Sequence, residues 1–327
     1  MGHVASDIAL GVDVGGTKSL AVLMSRRGEI IDEITSPTPH DPSRAAGEAM
    51  AEVLADQVRS LTSRHGLDSS SVPIGIGVPG LVRRDGSLAY APNLQSASGA
   101  DLPRALAERL SNHSVHVEND GNCAALAEYA WGAARGIDDF VMVTLGTGIG
   151  GGLVANGQLV RGRSGFAGEI GHMVVEARGA PCHCGGYGCW ERYASGSGLG
   201  RLAALAAAEG RLPTLSVRAG APELVRAEHV TAGAAEGLPE ALALLDEVAW
   251  WLALGLSNLA AIMDAGHFVI GGGLSVAANV MVPAATTYLA DLVEGYPMRP
   301  PFTLVPSAFG VRAGALGAAE VAFERAG

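Results

Sequence analysis

Apolar runs broken by glycine turns set out most of the chain. Asp7 to Val14 (DIALGVDV) is apolar and ends in Gly15-Gly16-Thr17-Lys18. Leu20 to Met24 resumes the apolar pattern, Arg26-Arg27-Gly28 makes a turn, and Glu29 to Thr35 is a third extended run. Strand, glycine turn, strand predicts an antiparallel meander and not a βα unit. Ser43 to Ser63 carries alanine and leucine at helical spacing. Ile74 to Val78 reads as a strand closed by Pro79-Gly80, Tyr90 to Leu94 as a loop, and Asp101 to Leu110 as a short helix. Val115 to Glu118 predicts a strand that passes through Asn119-Asp120-Gly121-Asn122 into a helix from about Cys123 to Ala134.

The second half repeats the opening pattern. Phe140 to Leu145 is a strand followed by Gly146-Thr147-Gly148-Ile149-Gly150-Gly151-Gly152 and then by LVANGQLV, apolar runs around Asn156-Gly157. Asn-Gly between apolar runs is a strong hairpin signal. Strand, glycine loop and strand thus recur, which suggests two related halves clasping one polyphosphate. Helical patterns cover Ser197 to Glu209 and Pro239 to Met263, with Trp250, Trp251, Leu252, Leu254 and Leu256 read as core. Within the latter, Val248 to Met263 is the most apolar stretch. It is interrupted by Ser257 and Asn258, is too short to span a bilayer, and reads as a buried helix. His267 to Ile270 is a strand entering Gly271-Gly272-Gly273, Thr303 to Val305 a late strand, and Arg312 to Arg325 a terminal helix. Segment 291–301 reads as surface loop. No low-complexity linker appears, so two domains sharing a hinge are expected.

Composition narrows the classes. The 327 residues suffice for two domains, and 48% hydrophobic against 17% charged residues allows a large core. A net charge of −11 argues against a nucleic-acid or anionic-membrane surface. The N-terminal MGHVASDIAL lacks the basic and apolar regions of a signal peptide, so a cytoplasmic protein is expected. Lys18 is the single lysine of the chain and sits in a glycine loop. A compact ammonium there suits a phosphate, although a coding bias toward arginine explains its isolation equally well.

Two near-miss motifs are settled by context. Gly11-x4-Gly16-Thr17-Lys18 approximates a Walker loop but misses by one position and opens a strand. The G-x-G-x-x-G of residues 146–151 opens a hairpin, whereas a dinucleotide loop must open a helix. What survives is a pair of phosphate-facing glycine hairpins. Thr17 and Lys18 donate to the phosphate and Asp13 holds Mg2+ through water, the plainer alternative for Gly15-Gly16 being a tight turn. The third glycine turn, Gly271 to Gly273, is either a strand-to-helix connection or a close pass against a nucleotide. Asp120 falls between a strand and a helix and is either an N-cap or a carboxylate aimed into a cleft as general base. Asn93 is a polar contact or a turn residue.

Cys182, Cys184 and Cys189 read C-x-C-x4-C, with His172 upstream. Three thiolates and one imidazole form a closed tetrahedral set of the kind a structural zinc ion takes. Such a zinc would fold residues 168–193 and carry Glu169 and Glu191 into fixed places. Disulfides or simple burial are the alternatives. Cys123 reads as a buried helix residue.

Taken in order, Asp13-Val14-Gly15-Gly16-Thr17-Lys18, Asn119-Asp120, Leu145 to Gly151, Glu169-Ile170-Gly171-His172 and Cys182 to Glu191 resemble the ROK family (repressors, open reading frames, kinases), from residue 7 to about 320. The ending CWERYASG most resembles bacterial ATP-dependent glucokinases of that family. The resemblance implies a two-domain α/β fold of the actin/hexokinase (ribonuclease H-like) type. The expected smaller domain is 1–118 plus 310–327, and the larger, zinc-bearing one 119–309. It implies ATP-dependent phosphorylation of a hexose, with Asp120 as base and Asn93, Asn119, Asp120, Glu169, His172 and Glu191 on the sugar. It places ATP phosphates against Asp13, Gly15, Gly16, Thr17, Lys18, Gly146, Thr147, Gly148 and Gly271 to Gly273, with Mg2+ bridging them. Zinc falls to His172, Cys182, Cys184 and Cys189. A homodimer or homotetramer is implied. Fructose, an N-acetylhexosamine or a cyclitol are rival acceptors, and polyphosphate a rival donor. A sugar-sensing regulator is the reading from another class. The early position of Asp13 is expected to leave no room for the helix-turn-helix of the family's repressors.

Overall fold

The computed structural model describes residues 7–326 apart from positions 40, 42, 93 and 113. Asn93, expected to touch the sugar, therefore lies outside the described residues. The chain divides into two compact units. The first holds Met1–Asp138, Gly152–Gly168 and Ser307–Gly327; the second holds Asp139–Gly151 and Glu169–Pro306. Residues 119–138 and 152–168, assigned to the larger domain from sequence, group here with the first unit.

The elements run as follows. The meander is β1 (Ile8–Val14), β2 (Lys18–Ser25) and β3 (Ile30–Pro37). Then come α1 (Glu48–Arg64), β4 (Ile74–Val78), the short pair β5 (Leu81–Val82) and β6 (Leu88–Tyr90), α2 (Leu102–Leu110), β7 (Val115–Asn119) and α3 (Asp120–Ala130). The chain continues through β8 (Phe140–Leu145), β9 (Ile149–Ala155) and β10 (Gln158–Leu159). Beyond these lie α4 (Glu191–Ala194), α5 (Gly196–Ala208), α6 (Pro213–Ala219), α7 (Ala227–Ala235) and α8 (Pro239–Met263). It closes with β11 (His267–Gly271), α9 (Ala278–Leu292), β12 (Thr303–Pro306) and α10 (Ala313–Ala326).

The repetition seen in the sequence is topological. One sheet has the order β3-β2-β1-β4-β7 and the other β10-β9-β8-β11-β12, a hairpin-linked antiparallel half joined to a parallel half in each. Asn156 and Gly157 both have positive φ, 52° and 70°, which gives the tight turn that joins β9 to β10.

Period-two alternation assigns the faces of β1. Leu10, Val12 and Val14 join a cluster with Leu54, Val58 and Leu61 of α1. Ala9, Gly11 and Asp13 point the other way, toward α10. A Cβ on Gly11 would lie 2.0 Å from the Ala315 carbonyl oxygen, and one on Gly75 of β4 1.7 Å from that of Ala318. A Cβ on Gly317 would lie 1.6 Å from the carbonyl oxygen of Cys123 in α3. Small residues on three elements thus let α10 close directly onto backbone. Cys123 is buried in this layer, as expected.

In the second unit α8 is 25 residues long, so length alone does not exclude a membrane span. Packing explains its apolarity better, because Leu244, Leu245, Val248, Leu252 and Leu256 are fully buried. Trp250 departs from the core assignment and is 37% exposed. The buried tryptophan is Trp190, whose indole Nε1 donates to the Trp251 carbonyl at 2.8 Å.

Candidate active site

In the first unit the carboxylates of Asp13 and Asp120 gather at one end of the parallel strands. Asp13 pairs with Gly77 in the β1–β4 register, and Gly77 pairs with Glu118 of β7. A Cβ on Gly77 would lie 3.2 Å from Cys123 Sγ and 3.6 Å from the Asp120 Cα, so the glycine lets the start of α3 close onto β4. Asp13 also rests against the first turn of α10, where a Cβ on Gly314 would lie 2.6 Å from its carboxyl carbon. Burial, and the charge of Asp120 after it, push the Asp13 carboxyl up to about 7. Burial likewise raises Asp120, against the backbone amides of Gly121 and of Asp120 itself, which favour the charged form.

Asp120 is not the N-cap. Asn119 takes that place, its Oδ1 accepting from Asn122 N at 3.1 Å while its Nδ2 donates to the Gly80 carbonyl at 3.2 Å. The helix accordingly starts at Asp120, ahead of the expected Cys123, and ends at Ala130. Capping by Asn119 leaves the Asp120 carboxylate to local backbone amides, chiefly Gly121 N at 2.9 Å. Nearby, the glycine turn of residues 15–18 is closed by Gly15 N donating to the Lys18 carbonyl at 2.9 Å. Thr38 pins it from just beyond the end of β3, donating Oγ1 to the Gly15 carbonyl and N to that of Thr17. Thr17 and Lys18 are exposed.

In the second unit the other two glycine turns meet. β8 and β11 are parallel, with Thr144 opposite Gly271. Gly272 has φ +87°, and a Cβ there would lie 2.5 Å from the Leu145 carbonyl oxygen. Residues 146–148 and 271–273 thus share the carboxyl ends of adjacent parallel strands, where α/β sheets bind ligands. The first of these loops is seated on α5, whose Gly196 N and Ser197 N donate to the carbonyls of Gly146 and Thr147. Among the described residues, apart from chain neighbours, nothing lies within 4 Å of a Cβ built on Gly146 or Gly273. On Gly148 it would lie 2.3 Å from Glu191 Oε2, so this loop also touches the cysteine segment.

That segment brings its predicted ligands together. One ligand atom each from His172, Cys182, Cys184 and Cys189 lies within 4.8 Å of the others, and all the cysteines are free thiols. His172 turns Nδ1 to Cys182 Sγ at 3.8 Å and Nε2 toward Glu169 Oε2 at 3.9 Å. Glu191 Oε1 accepts from Cys182 Sγ at 3.1 Å. Gly185 and Gly188 have positive φ, and a Cβ on Gly188 would lie 1.7 Å from the Glu176 carbonyl oxygen. A three-sulfur, one-nitrogen set on a glycine-turned knuckle fits a structural zinc ion. The second ring nitrogen of His172 faces the Glu169 carboxylate, the side on which metal-ligating histidines commonly find a carboxylate partner.

A model of the ROK family matches residues 9–325 of the chain. The chain belongs to the ROK family. A glucokinase of Streptomyces coelicolor is 36% identical over 322 residues, covering 97% of this chain and 98% of that protein. An N-acetyl-D-glucosamine kinase of Shigella boydii is 35% identical over 293 residues, covering 86% and 87%. The solved ROK glucokinase of Streptomyces griseus, in complex with glucose and AMPPNP, superposes with a TM-score of 0.81 at 32% identity, covering 97% and 99%. The ROK fold is therefore the two-domain α/β architecture expected from the motifs.

Sequence reading missed three supports of this ROK site. Thr38 and Gly314 act from 23 and some 300 residues away, and no local pattern marks them. Glu118 is buried and holds Asn119 N at 3.0 Å, Asn122 Nδ2 at 2.9 Å and Arg161 Nε at 2.6 Å. The only available signal was a charged residue inside an apolar strand.

Proposed function

We propose that this protein is a glucokinase that transfers the γ-phosphoryl group of ATP to the primary hydroxyl of D-glucose. The observation that carries the proposal is Asp120, a carboxylate at a strand end that Asn119 releases from capping duty. Phosphoryl transfer asks mainly for positioning and charge neutralisation. Asp120 accepts the proton of the attacking hydroxyl, and its raised pKa brings it nearer to the working pH of a general base. Glu169, His172 and Glu191 accept or share hydrogen bonds with the remaining hydroxyls, as does Asn119 through whatever its cap leaves free. A neutral sugar offers only hydroxyls, so such acceptors also reject deoxy analogues.

The glycine turns at 15–18, 146–148 and 271–273 serve as backbone cradles for phosphate oxygens, with Thr17 and Lys18 as further donors. Asp13 fits a hydrated Mg2+, because a divalent charge favours the ionised carboxylate that burial and the Asp120 charge disfavour. Bound Mg2+ neutralises charge on the phosphates. His172, Cys182, Cys184 and Cys189 fit zinc, which supplies folding stability to the segment that carries Glu169 and Glu191. A cytoplasmic homodimer or homotetramer without nucleic-acid or membrane partners completes the reading.

Support comes from the glucokinase relatives and from the relative solved with glucose and AMPPNP. The similarity to N-acetyl-D-glucosamine kinases favours, as a second reading, a kinase for another hexose. The test is formation of the sugar phosphate by the purified protein with glucose, fructose, mannose, N-acetylglucosamine and N-acetylmannosamine, with ATP or polyphosphate as donor. The highest kcat/KM is expected for glucose with ATP. A higher value for an N-acetylhexosamine installs the second reading. Tight sugar binding with no turnover on any sugar overturns both in favour of a sensor.

A further inference from the structure

The first unit holds a polar cavity of about 220 Å³ that none of the roles above uses. Its walls are the end of β5 with the turn that follows it, Pro103 of α2, β7, Arg161, Gly165 and α10. Arg83, Arg84, Arg161 and Arg325 line it, against the carboxylates of Asp85 and Glu118. In a chain of net charge −11 this is a local excess of positive charge.

Both carboxylates are already engaged. Asp85 accepts from Ser87 N and Oγ at 2.9 and 2.7 Å. Glu118 holds Arg161, Asn119 and Asn122 as described. The arginines, by contrast, have donors to spare. Arg84 is fixed by the carbonyls of Gly162 and Arg163, and Arg83 by Ser87 Oγ at 3.2 Å. Arg161 Nη2 is buried with no hydrogen-bond partner among the described residues, and Glu324 Oε2 lies 3.9 Å from it. A buried donor left unmatched costs free energy that a ligand can recover. The walls are also built by backbone. Gly165 has φ +98°, and a Cβ there would lie 2.4 Å from the Val82 carbonyl oxygen.

Size and chemistry select the occupant. The cavity is below the roughly 300–1,000 Å³ of drug-sized sites, so its ligand is small. Planar guanidinium forks match phosphate oxygens. We propose that this cavity binds a small phosphate-bearing anion, pyrophosphate or a compact phosphate monoester, and that occupancy is transmitted to Asp120 through Arg161 and Glu118. The anion competes with Glu118 for Arg161, and Glu118 in turn fixes Asn119 and Asn122 at the start of α3. Binding stands independently of the kinase reading; only the effect on turnover rests on it.

His116 of β7 lines the cavity and reports on it. Burial and the Arg325 charge hold its pKa below the ordinary value, and a bound anion raises it. The experiment is a proton NMR titration of the His116 ring in the full chain, assigned with His116→Gln. Orthophosphate, pyrophosphate and glucose 6-phosphate are compared with sodium chloride at matched ionic strength. A saturable shift and a higher His116 pKa are expected with at least one phosphate, and the arm that saturates identifies the carrier. Both are expected to vanish in an Arg83→Ala/Arg325→Ala variant whose Tm without ligand is unchanged. No saturable shift with any arm, or one that chloride or the double variant reproduces, overturns the site. Turnover with glucose is expected to change several-fold on saturation in the wild type alone; binding without that change overturns the transmission to Asp120. A protein that turns over no sugar but shows the His116 shift refutes the kinase reading and leaves the site standing.

Discussion

Asp13 and Asp120 lie close enough for the charge of one to act on the other. Asp13 is the register partner of Gly77, Asp120 lies against the position its side chain would occupy, and the charge of Asp120 raises the pKa of Asp13. The arrangement brings two carboxylates together where burial penalises both.

Stability should therefore fall as pH rises. The Asp13 carboxyl titrates at 3.8 when unperturbed and at about 7 when folded. Between these values the folded chain binds more protons than the unfolded chain, so each pH unit gained weakens folding. The limit is about 4 kcal/mol at 1.36 kcal/mol per unit. Asp13→Asn removes the effect. In thermal unfolding without nucleotide the variant should melt above the wild type at pH 8, with the gap closing toward pH 4. A gap that widens on acidification would refute the assignment.

Asp120→Asn keeps the size of the side chain and the backbone around it. If Asp120 is the base, kcat should drop by roughly 10²–10⁴-fold. The KM for glucose should move only a few-fold, because an amide still pairs with the hydroxyl. Steady-state ADP release measures both, and retained kcat would remove Asp120 from the chemistry.

The meander, the Asn156-Gly157 hairpin and the strand-to-helix step at Asn119-Asp120 were legible because each is a local signal of period and turn chemistry. The grouping of His172 with the three cysteines was legible because their spacing is local too. What escaped depends on distant pairing. Either Asn119 or Asp120 suits an N-cap by composition, and only the chain geometry at the end of β7 chooses Asn119. α9 was hidden by Pro283 within it, and α6 and α7 are too short for a clear period. Trp190 looked like part of a metal loop, and its burial depends on a glycine 65 residues later in α8.

The cysteine cluster makes a prediction that needs no turnover. One zinc per chain should be found by elemental analysis, and Cys184→Ser should lose it. Structural zinc contributes apparent stabilities of about 10–16 kcal/mol in small zinc fingers. Here the loss should be local, since Trp190 remains anchored on α8. Amide exchange should quicken across residues 169–191 and stay slow in β8 and β11, while the KM for glucose rises. Active protein free of zinc would contradict this.

Gly255 should behave opposite to ordinary helix glycines. In an exposed helix interior, glycine to alanine stabilises by about 1 kcal/mol. At Gly255, inside α8, the added Cβ would lie 2.0 to 2.4 Å from three ring carbons of Trp190. Neither backbone nor a buried indole yields that distance cheaply, and overpacking of this kind costs about 1–3 kcal/mol. Displacing the ring also endangers the Trp190 Nε1 bond to the Trp251 carbonyl. Gly255→Ala should thus lower Tm and shift tryptophan emission to the red as the indole loosens. Gly200→Ala, in α5, supplies the control: its Cβ meets nothing closer than 3.9 Å, so Tm should hold or rise. If both variants move Tm in the same direction, the contact between Trp190 and α8 does not govern the sign, and the anchoring of the cysteine segment on that helix fails with it.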